Sequence, residues 1–198
     1  MTPDRLDRDF FARPAEHVAE ELVGCRLYRE TADGLVAGVV VETEAYGGLE
    51  DAASHAALYT RARASIMGSQ PGTVYVYRSY GIHDCFNVVA NVAGGLGAVL
   101  VRAVEPTLGV ELMRLRRGPR ADADLCRGPG RLCQAFAITT ADAYTDVVAS
   151  DDLWLGARDA PPVVSRSGRV GITRAVAAPL RFFVDGSPFV SATRVTSR

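Results

Sequence analysis

The sequence predicts a single domain that mixes α-helices with β-strands. Apolar residues recur at helical spacing in residues 9–23. Residues 25–30 and 35–46 have the patterns of strands, and the turn residues at 32–34 between them are typical of a β-hairpin. At 198 residues, 48% of them hydrophobic, the chain is long enough for one well-buried core and short for two. We therefore expect residues 1–198 to form one domain.

The remainder of the chain continues this mixture. Residues 73–80, TVYVYRSY, place valines on one face of a strand and Tyr75 and Tyr77 on the other. Residues 84–92 and 97–104 are predicted strands on either side of a glycine pair. Further elements are expected as short helices at 50–58, 110–118 and 127–138, a loop at 59–72, and short strands and loops after 165.

The basic residues exclude some chemistry. All 22 of them are arginine and none is lysine, so a phosphate-binding P-loop lysine and a lysine Schiff base are both excluded. Residues 1–57 contain 12 acidic and 5 basic residues, whereas residues 58–198 contain 11 and 17, which together give the net charge of −1. Such asymmetry is compatible with a basic face that meets a polyanion, and equally with ordinary solvated charge.

The cysteines and the hydropathy indicate a protein without metal or membrane. The four cysteines lack C-x-x-C spacing, and a zinc site that combines them with His83 fits no common ligand pattern. We expect free, mostly buried thiols and no metal or organic cofactor. The chain has no run of about 18 apolar residues, and its first residues are charged. We therefore expect a soluble intracellular protein: cytoplasmic and nucleoid-associated, or nuclear if the host is eukaryotic.

Residues 39–55, VVVETEAYGGLEDAASH, form the most informative stretch. Strand periodicity places Glu42, Glu44 and Tyr46 on one face, and Val39, Val41, Thr43 and Ala45 on the other. Burying a bare carboxylate costs several kcal/mol unless the carboxylate is paired or used. Either glutamate taken alone is explained by an ion pair with an arginine. The alternative is a general base at the end of the strand, beside an aromatic wall, with His55 brought close by the loop.

Two other features fit more than one interpretation. Arg102 lies inside an otherwise apolar strand, so its guanidinium needs a ligand or a partner such as Glu42 or Glu44. The Gly-Pro-Gly turn at residues 128–130 opens a helix and could present backbone N–H groups to an anion such as a DNA phosphate. Turn chemistry alone explains this second feature equally well.

Taken together, six segments in order resemble the alkyladenine (3-methyladenine) DNA glycosylase family of the mammalian type, which removes alkylated purines from DNA. The segments are VETEAYGGLEDAASH, PGTVYVYRSYG, CFNVV, AVLVRAVEP, GPGRLCQAF and GRVGI with PLRFFVDGSPFVS, between about residues 10 and 192. The resemblance implies a compact mixed α/β (α+β) fold with a curved antiparallel β-sheet flanked by helices and no helix-hairpin-helix element.

The resemblance also implies roles for individual residues. Glu44 matches the general base that activates the attacking water, and Glu42 a supporting glutamate. Arg102 matches the arginine near that water and the nucleotide's phosphate. The family's residues that contact the extruded base are matched by Tyr46, His55 and Tyr77. Its asparagine that rejects guanine is matched by Asn87, and its tyrosine that wedges into the minor groove is matched by Tyr80.

The loop before the third predicted strand departs from the family pattern. Arg63 matches a DNA-contacting arginine, but it is followed by Ala64 where the family carries asparagine. Similarly, Met67 is followed by Gly68 where the family carries phenylalanine. We therefore expect weaker contacts from this loop to the strand that flanks the lesion.

The resemblance predicts a monofunctional DNA glycosylase of base excision repair. It would flip alkylated or deaminated purines (3-methyladenine, 7-methylguanine, hypoxanthine or ethenoadenine) out of double-stranded DNA and hydrolyse the N-glycosidic bond with water activated by Glu44. Because no lysine is present, we expect no lyase activity and an intact abasic site as product. The expected partner is double-stranded DNA containing damaged purines, bound by a monomer. The alternatives are a catalytically inactive nucleic-acid-binding module and a hydrolase of small nucleosides.

Overall fold

The computed structural model describes residues 4–58 and 65–191, and its centre is an antiparallel β-sheet. The strands are β1 (Arg26–Thr31), β2 (Gly34–Tyr46), β3 (Val74–Ser79), β4 (His83–Val89), β5 (Ala98–Leu108), β6 (Leu153–Gly156), β7 (Val164–Ser167) and β8 (Arg181–Val184). They lie in the order β3-β4-β5-β2-β1-β6, with β8 paired to both β2 and β7. The sheet is curled, which confirms the predicted α+β fold with a curved antiparallel sheet.

Strand β2 organises the sheet. Along one edge it pairs with β5, and along the other it pairs first with β1 and then, at Glu42–Glu44, with β8. The predicted hairpin at residues 32–34 is the turn between β1 and β2. Because β2 is paired with a strand on both edges at Glu42–Glu44, these side chains project from the interior of the sheet and not from a loop.

A β-bulge in β2 changes the predicted alternation. Val40 lies opposite Val104 and Glu42 opposite Ala103, so Val41 is an extra residue without a counterpart on β5. Val40 therefore belongs to the main core, whereas Val39 and Val41 line a groove elsewhere on the surface. The prediction that these last two residues share a face with Thr43 and Ala45 was wrong, because the bulge reverses the side-chain direction within one residue.

The helices cover the sheet. The helices with described bounds are α1 (Arg8–Phe11), α2 (Ala15–Leu22), α3 (His55–Leu58), α4 (Val110–Arg117) and α5 (Pro129–Phe136), with 3₁₀ turns at Asp122–Asp124 and Thr140–Asp142. Residues 65–67, in the stretch predicted as a loop, are also helical. Helix α2 packs on β2 and β5, and α5 packs on β4 and β5, so the main apolar core lies between these helices and the sheet. The Thr43 hydroxyl donates a hydrogen bond of 2.7 Å to the Ala19 carbonyl, which joins β2 to α2.

Several predicted boundaries differ from the structure. The helix expected at 9–23 is divided into α1 and α2, because Pro14 has no N–H and precedes the first residue of α2. Strand β4 ends at Val89, three residues earlier than predicted, and β5 continues through Pro106 to Leu108. Helix α3 is confined to His55–Leu58.

Two further observations bear on the sequence analysis. All four cysteines are free and buried, as predicted. Within residues 4–58 and 65–191, no helix is long and apolar enough to cross a membrane.

Candidate active site

A cavity of about 720 Å³ lies at the end of the sheet where β2, β3, β4 and β5 meet α3. The structure brings six of the predicted site residues to its lining: Tyr46, His55, Tyr77, Tyr80, Asn87 and Arg102. They come from separate strands, a helix and a turn, so their convergence is a property of the fold and not of any one motif. Pro129, from the Gly-Pro-Gly turn, also lines this cavity at the start of α5.

An aromatic wall forms one side of the cavity. The ring of His55 lies 4.3 Å from that of Tyr77 at an interplanar angle of 70°, and the rings of Tyr75 and Tyr77 are 5.5 Å apart. The hydroxyl of Tyr75 lies 2.8 Å from Nδ1 of His55 and so fixes the orientation of the imidazole. Sequence analysis did not assign Tyr75 to the site, although strand periodicity placed it on the same face as Tyr77.

Glu44 lies directly behind the cavity wall. Its side chain is 0% exposed, and it is held by three donors: the Tyr46 hydroxyl at 2.8 Å and Arg102 Nη1 at 3.3 Å on Oε2, and the Val170 N–H at 2.7 Å on Oε1. These three partners line the cavity, whereas Glu44 itself does not. A carboxylate offers about four acceptor positions. One position on Oε1 therefore remains for a further donor.

The electrostatic state of Glu44 differs from that of an ordinary surface carboxylate. Burial raises its pKa, and this effect outweighs the opposing charge of Arg102 and the hydrogen bonds from Val170 and Tyr46. Burial and the Glu44 charge together raise the pKa of Tyr46, so its phenol keeps its proton and donates to Glu44. A buried carboxylate with a raised pKa has the proton affinity that a general base requires.

Glu42 is bound more tightly and in a different way. It accepts hydrogen bonds from Arg102 Nε at 3.0 Å, Arg181 Nε at 2.6 Å, the Ser191 N–H at 2.7 Å and the Ser191 hydroxyl at 2.8 Å. Burial opposes its ionisation, but the charges of Arg102 and Arg181 lower its pKa. These four donors and the charges of the two arginines make Glu42 a fixed anion that orients Arg102.

Tyr46 forms another wall of the cavity. The guanidinium of Arg169 lies over its ring at 4.6 Å from the centroid. Arg169 also forms a bidentate ion pair with Asp51, at 2.5 and 2.7 Å. Asp51 falls at the start of the helix predicted at 50–58, but it lies in a loop, where its carboxylate accepts from the Gly47 and Ala53 N–H groups.

Asn87 lines the cavity and is 3% exposed. Its amide nitrogen donates to the carbonyl oxygens of Tyr75 and Cys85, both at 3.0 Å. These two bonds fix the amide plane, so the side chain presents a rigid surface to any occupant of the cavity.

The turn between β3 and β4 projects from the mouth of the cavity. Tyr80 is 89% exposed there, with φ of 51°, and Ile82 on the same turn is 73% exposed. Below them Arg78 and Asp84 pair across the hairpin at 3.0 Å. Tyr80 and Ile82 therefore form an exposed apolar tip on this turn. Arg63, the other predicted DNA-contacting residue, lies outside the described residues.

Comparison with known proteins assigns the chain to a family. The sequence profile described as methylpurine-DNA glycosylase (MPG) matches residues 9–188. The chain belongs to the methylpurine-DNA glycosylase family. The matched range contains Glu44, Arg102 and every cavity-lining residue named above, and it confirms the resemblance and the DNA glycosylase class predicted from the sequence.

Individual relatives in the methylpurine-DNA glycosylase family align over nearly the whole chain. A protein of Granulibacter bethesdensis is 47% identical over 98% of this chain and 90% of its own length. Proteins of Rhizobium meliloti and Chlorobaculum tepidum are 45% and 40% identical, over 93% and 96% of this chain and 95% and 92% of their own lengths. Each is named "Putative 3-methyladenine DNA glycosylase".

Proposed function

We propose that this methylpurine-DNA glycosylase family member hydrolyses the N-glycosidic bond of alkylated or deaminated purines in double-stranded DNA. The proposed substrates are 3-methyladenine, 7-methylguanine, hypoxanthine and ethenoadenine, and the proposed product is an intact abasic site. We further propose that it acts as a monomer in base excision repair, on DNA in the cytoplasmic nucleoid or, in a eukaryotic host, the nucleus. The observation that carries the proposal is a buried carboxylate, Glu44, with a raised pKa directly behind a cavity walled by aromatic rings.

The cavity suits a single flat base. Its volume of about 720 Å³ lies within the usual range for small-molecule sites, and Tyr46, His55 and Tyr77 offer ring surfaces to stack on. Stacking on an aromatic side chain contributes roughly 1–3 kcal/mol per base. A purine alkylated at N3 or N7 is cationic, and it therefore stacks favourably on electron-rich tyrosine rings.

The exposed turn supports a duplex as the source of that base. A nucleotide has to leave the base stack before its sugar becomes accessible, at a cost of a few kcal/mol. Tyr80 is long, apolar along most of its length and exposed at the cavity mouth, so it can fill the gap left in the stack. A pocket specific for free nucleosides would have no use for such a side chain.

The bond cleavage can be written with the residues of the site. The electron pair of the N-glycosidic bond leaves with the base, and positive charge develops on the sugar. The oxygen of a water molecule attacks C1′, and Glu44 takes the water's proton through the remaining acceptor position on Oε1. For this step the water has to enter between Tyr46, Arg102 and Val170, which separate this carboxylate from the cavity.

Two alternatives make different predictions for one assay. The assay supplies the protein with hypoxanthine in a duplex and, separately, with free inosine. It distinguishes a glycosylase from a binding module without activity and from a hydrolase of small nucleosides. We expect base release from the duplex, none from the nucleoside, and a loss of at least about a hundredfold in Glu44→Gln with duplex binding retained.

Glu111→Gln provides the matched control, because Glu111 is 83% exposed and does not line the cavity. It should release base at the wild-type rate. Release from free inosine at a comparable rate, or a Glu44→Gln variant as active as the wild type, would contradict the proposal.

A further inference from the structure

The ion pair between Arg169 and Asp51 joins two segments that wall the cavity. Arg169 follows β7, and Asp51 lies in the loop between β2 and α3 that leads to His55. Both side chains are buried, Arg169 at 0% and Asp51 at 8% exposure, and the pair is bidentate. We call this pair the Arg169–Asp51 clasp.

The clasp is connected directly to Glu44. Val170, the next residue after Arg169, donates its N–H to Glu44 Oε1 at 2.7 Å. Arg169 also donates to the Ala45 carbonyl at 2.9 Å, adjacent to Glu44 on β2. The hydrogen bonds that tie residues 169–174 to the described part of the chain come from the Arg169 side chain and the Val170 N–H. The position of that N–H therefore depends on the clasp.

We propose that Arg169 and Asp51 are positioning residues for the general base: their clasp fixes the Val170 N–H on Glu44 Oε1, and so keeps Glu44 ionised and aimed at the cavity. The inference rests on the proposed function. Neither residue touches the cavity occupant, because neither lines the cavity. Their influence on the reaction passes through the neighbours of Glu44: the Val170 N–H, and the Ala45 carbonyl and Tyr46 ring that Arg169 contacts.

Other charged and polar groups also affect the ionisation of Glu44. The groups that interact electrostatically with Glu44 lie on β2, β3, β4, β5 and the segment after β7. They are, in that order, Glu42 and Tyr46, Tyr77, Cys85, Arg102, and Arg169. A donor to an ionised carboxylate lowers the carboxyl pKa, and loss of that donor raises it. Because the pKa of Glu44 is already raised, loss of the Val170 N–H moves it further toward the working pH.

A purely structural role for the clasp would have a different signature. Arg8 and Asp146 form a second bidentate ion pair, at 2.9 and 2.5 Å, and neither residue lines the cavity. Breaking either pair should lower the stability of the fold. Only the break at Arg169 should change the ionisation of Glu44.

The experiment compares the full-length wild type with Arg169→Met, Arg169→Lys, Asp51→Asn and the control Arg8→Met. The side-chain carboxyl carbons of glutamate are labelled with ¹³C, and the Glu44 resonance is assigned by its loss in Glu44→Gln. The free proteins are titrated by NMR, and single-turnover base release from hypoxanthine duplex is measured across the same pH range. The NMR titration does not depend on enzymatic activity.

We expect the Glu44 titration and the acid limb of base release to move to higher pH in Arg169→Met and Asp51→Asn. On the acid limb of the wild-type profile, base release should fall about tenfold and recover at high pH, with Arg169→Lys intermediate. Arg8→Met should melt earlier than the wild type with an unchanged titration.

A wild-type titration of Glu44 in Arg169→Met would overturn the inference. If that variant does not fold, Asp51→Asn and Arg169→Lys decide the question by the same criterion. A wild type that releases no base contradicts the proposed function instead, and the NMR titration still decides the role of the clasp.

Discussion

Glu42 and Glu44 bind the same guanidinium, that of Arg102, through different nitrogens. Glu42 Oε1 accepts from Nε at 3.0 Å, and Glu44 Oε2 accepts from Nη1 at 3.3 Å. Glu42 has in addition Arg181 and both donors of Ser191. Because of these additional partners, the pKa of Glu42 is lowered, whereas burial raises the pKa of Glu44 two residues away on the same strand.

The first prediction is that Glu42→Gln and Glu44→Gln change stability with opposite dependence on pH. The raised pKa of Glu44 means that its contribution to stability is complete below the ordinary value of 4.5 and is lost as the pH rises through the folded-state value. Relative to the wild type, Glu44→Gln should therefore gain stability as the pH increases above 4.5. The lowered pKa of Glu42 means that its contribution is present above 4.5 and is lost as the pH falls through the folded-state value.

Urea unfolding of both variants and the wild type between about pH 3 and pH 8 measures this difference. The deficit of Glu42→Gln should be greatest above 4.5 and shrink toward low pH. Parallel curves for the two variants would show that the two glutamates are electrostatically equivalent, against the geometry described above.

The second prediction concerns Arg102. Arg102→Met removes the positive charge shared by two buried carboxylates, and breaking a buried ion pair on one side typically costs about 3–5 kcal/mol of unfolding free energy. Arg78→Met is the control, because Arg78 pairs with Asp84 at the surface, where ion pairs contribute little. We expect a large fall in the urea midpoint for the first variant and no measurable fall for the second. Equal effects would contradict the buried network.

Much of the site follows from the sequence because it lies on one strand and in one ordered set of segments. Alternation placed Glu42, Glu44 and Tyr46 on a common face, and their shared contacts with Arg102 and with one another bear this out. The isolated arginine in an apolar strand required a partner, and the structure supplies both glutamates. These are local patterns that a strand's period of two makes visible.

The remainder is not visible in the sequence because it depends on backbone atoms or on contacts between distant residues. The Val170 N–H holds Glu44 without any side-chain signature. Arg169 and Asp51 are 118 residues apart, and many arginines were available to each acid. The bulge at Val41 is a single extra residue, which an alternating pattern does not reveal. Sequence periodicity therefore identifies the residues that face the site but not the groups that set their ionisation.

The third prediction separates the wedge from the stability of the fold. Tyr80→Ala should lower base release from a lesion duplex about tenfold or more, because the gap left by the extruded nucleotide is no longer filled. Tyr144→Ala is a close control: Tyr144 is 69% exposed and also has positive φ, at 72° compared with 51° for Tyr80. Single-turnover kinetics and thermal melting of both variants provide the measurement. The two should melt alike, and a loss of activity shared by both would contradict a specific role for Tyr80.

The fourth prediction concerns the product. A glycosylase that also nicks the DNA backbone forms a Schiff base between an amine and C1′ of the sugar, and borohydride reduction traps it as a covalent adduct. The chain contains no lysine, so the N-terminal amine is the one primary amine in the sequence. We therefore expect the nucleophile to be water, activated by Glu44.

Incubation of the protein with lesion duplex and borohydride should yield no adduct on a denaturing gel, and the DNA strand should remain whole until alkali cleaves the abasic site. Glu44→Gln should show neither adduct nor alkali-sensitive site, because the base is not released. An adduct in the wild type would show that the N-terminal amine reaches C1′. In that case Glu44 would serve a reaction other than the activation of water, and the proposed attack of water on C1′ would be wrong.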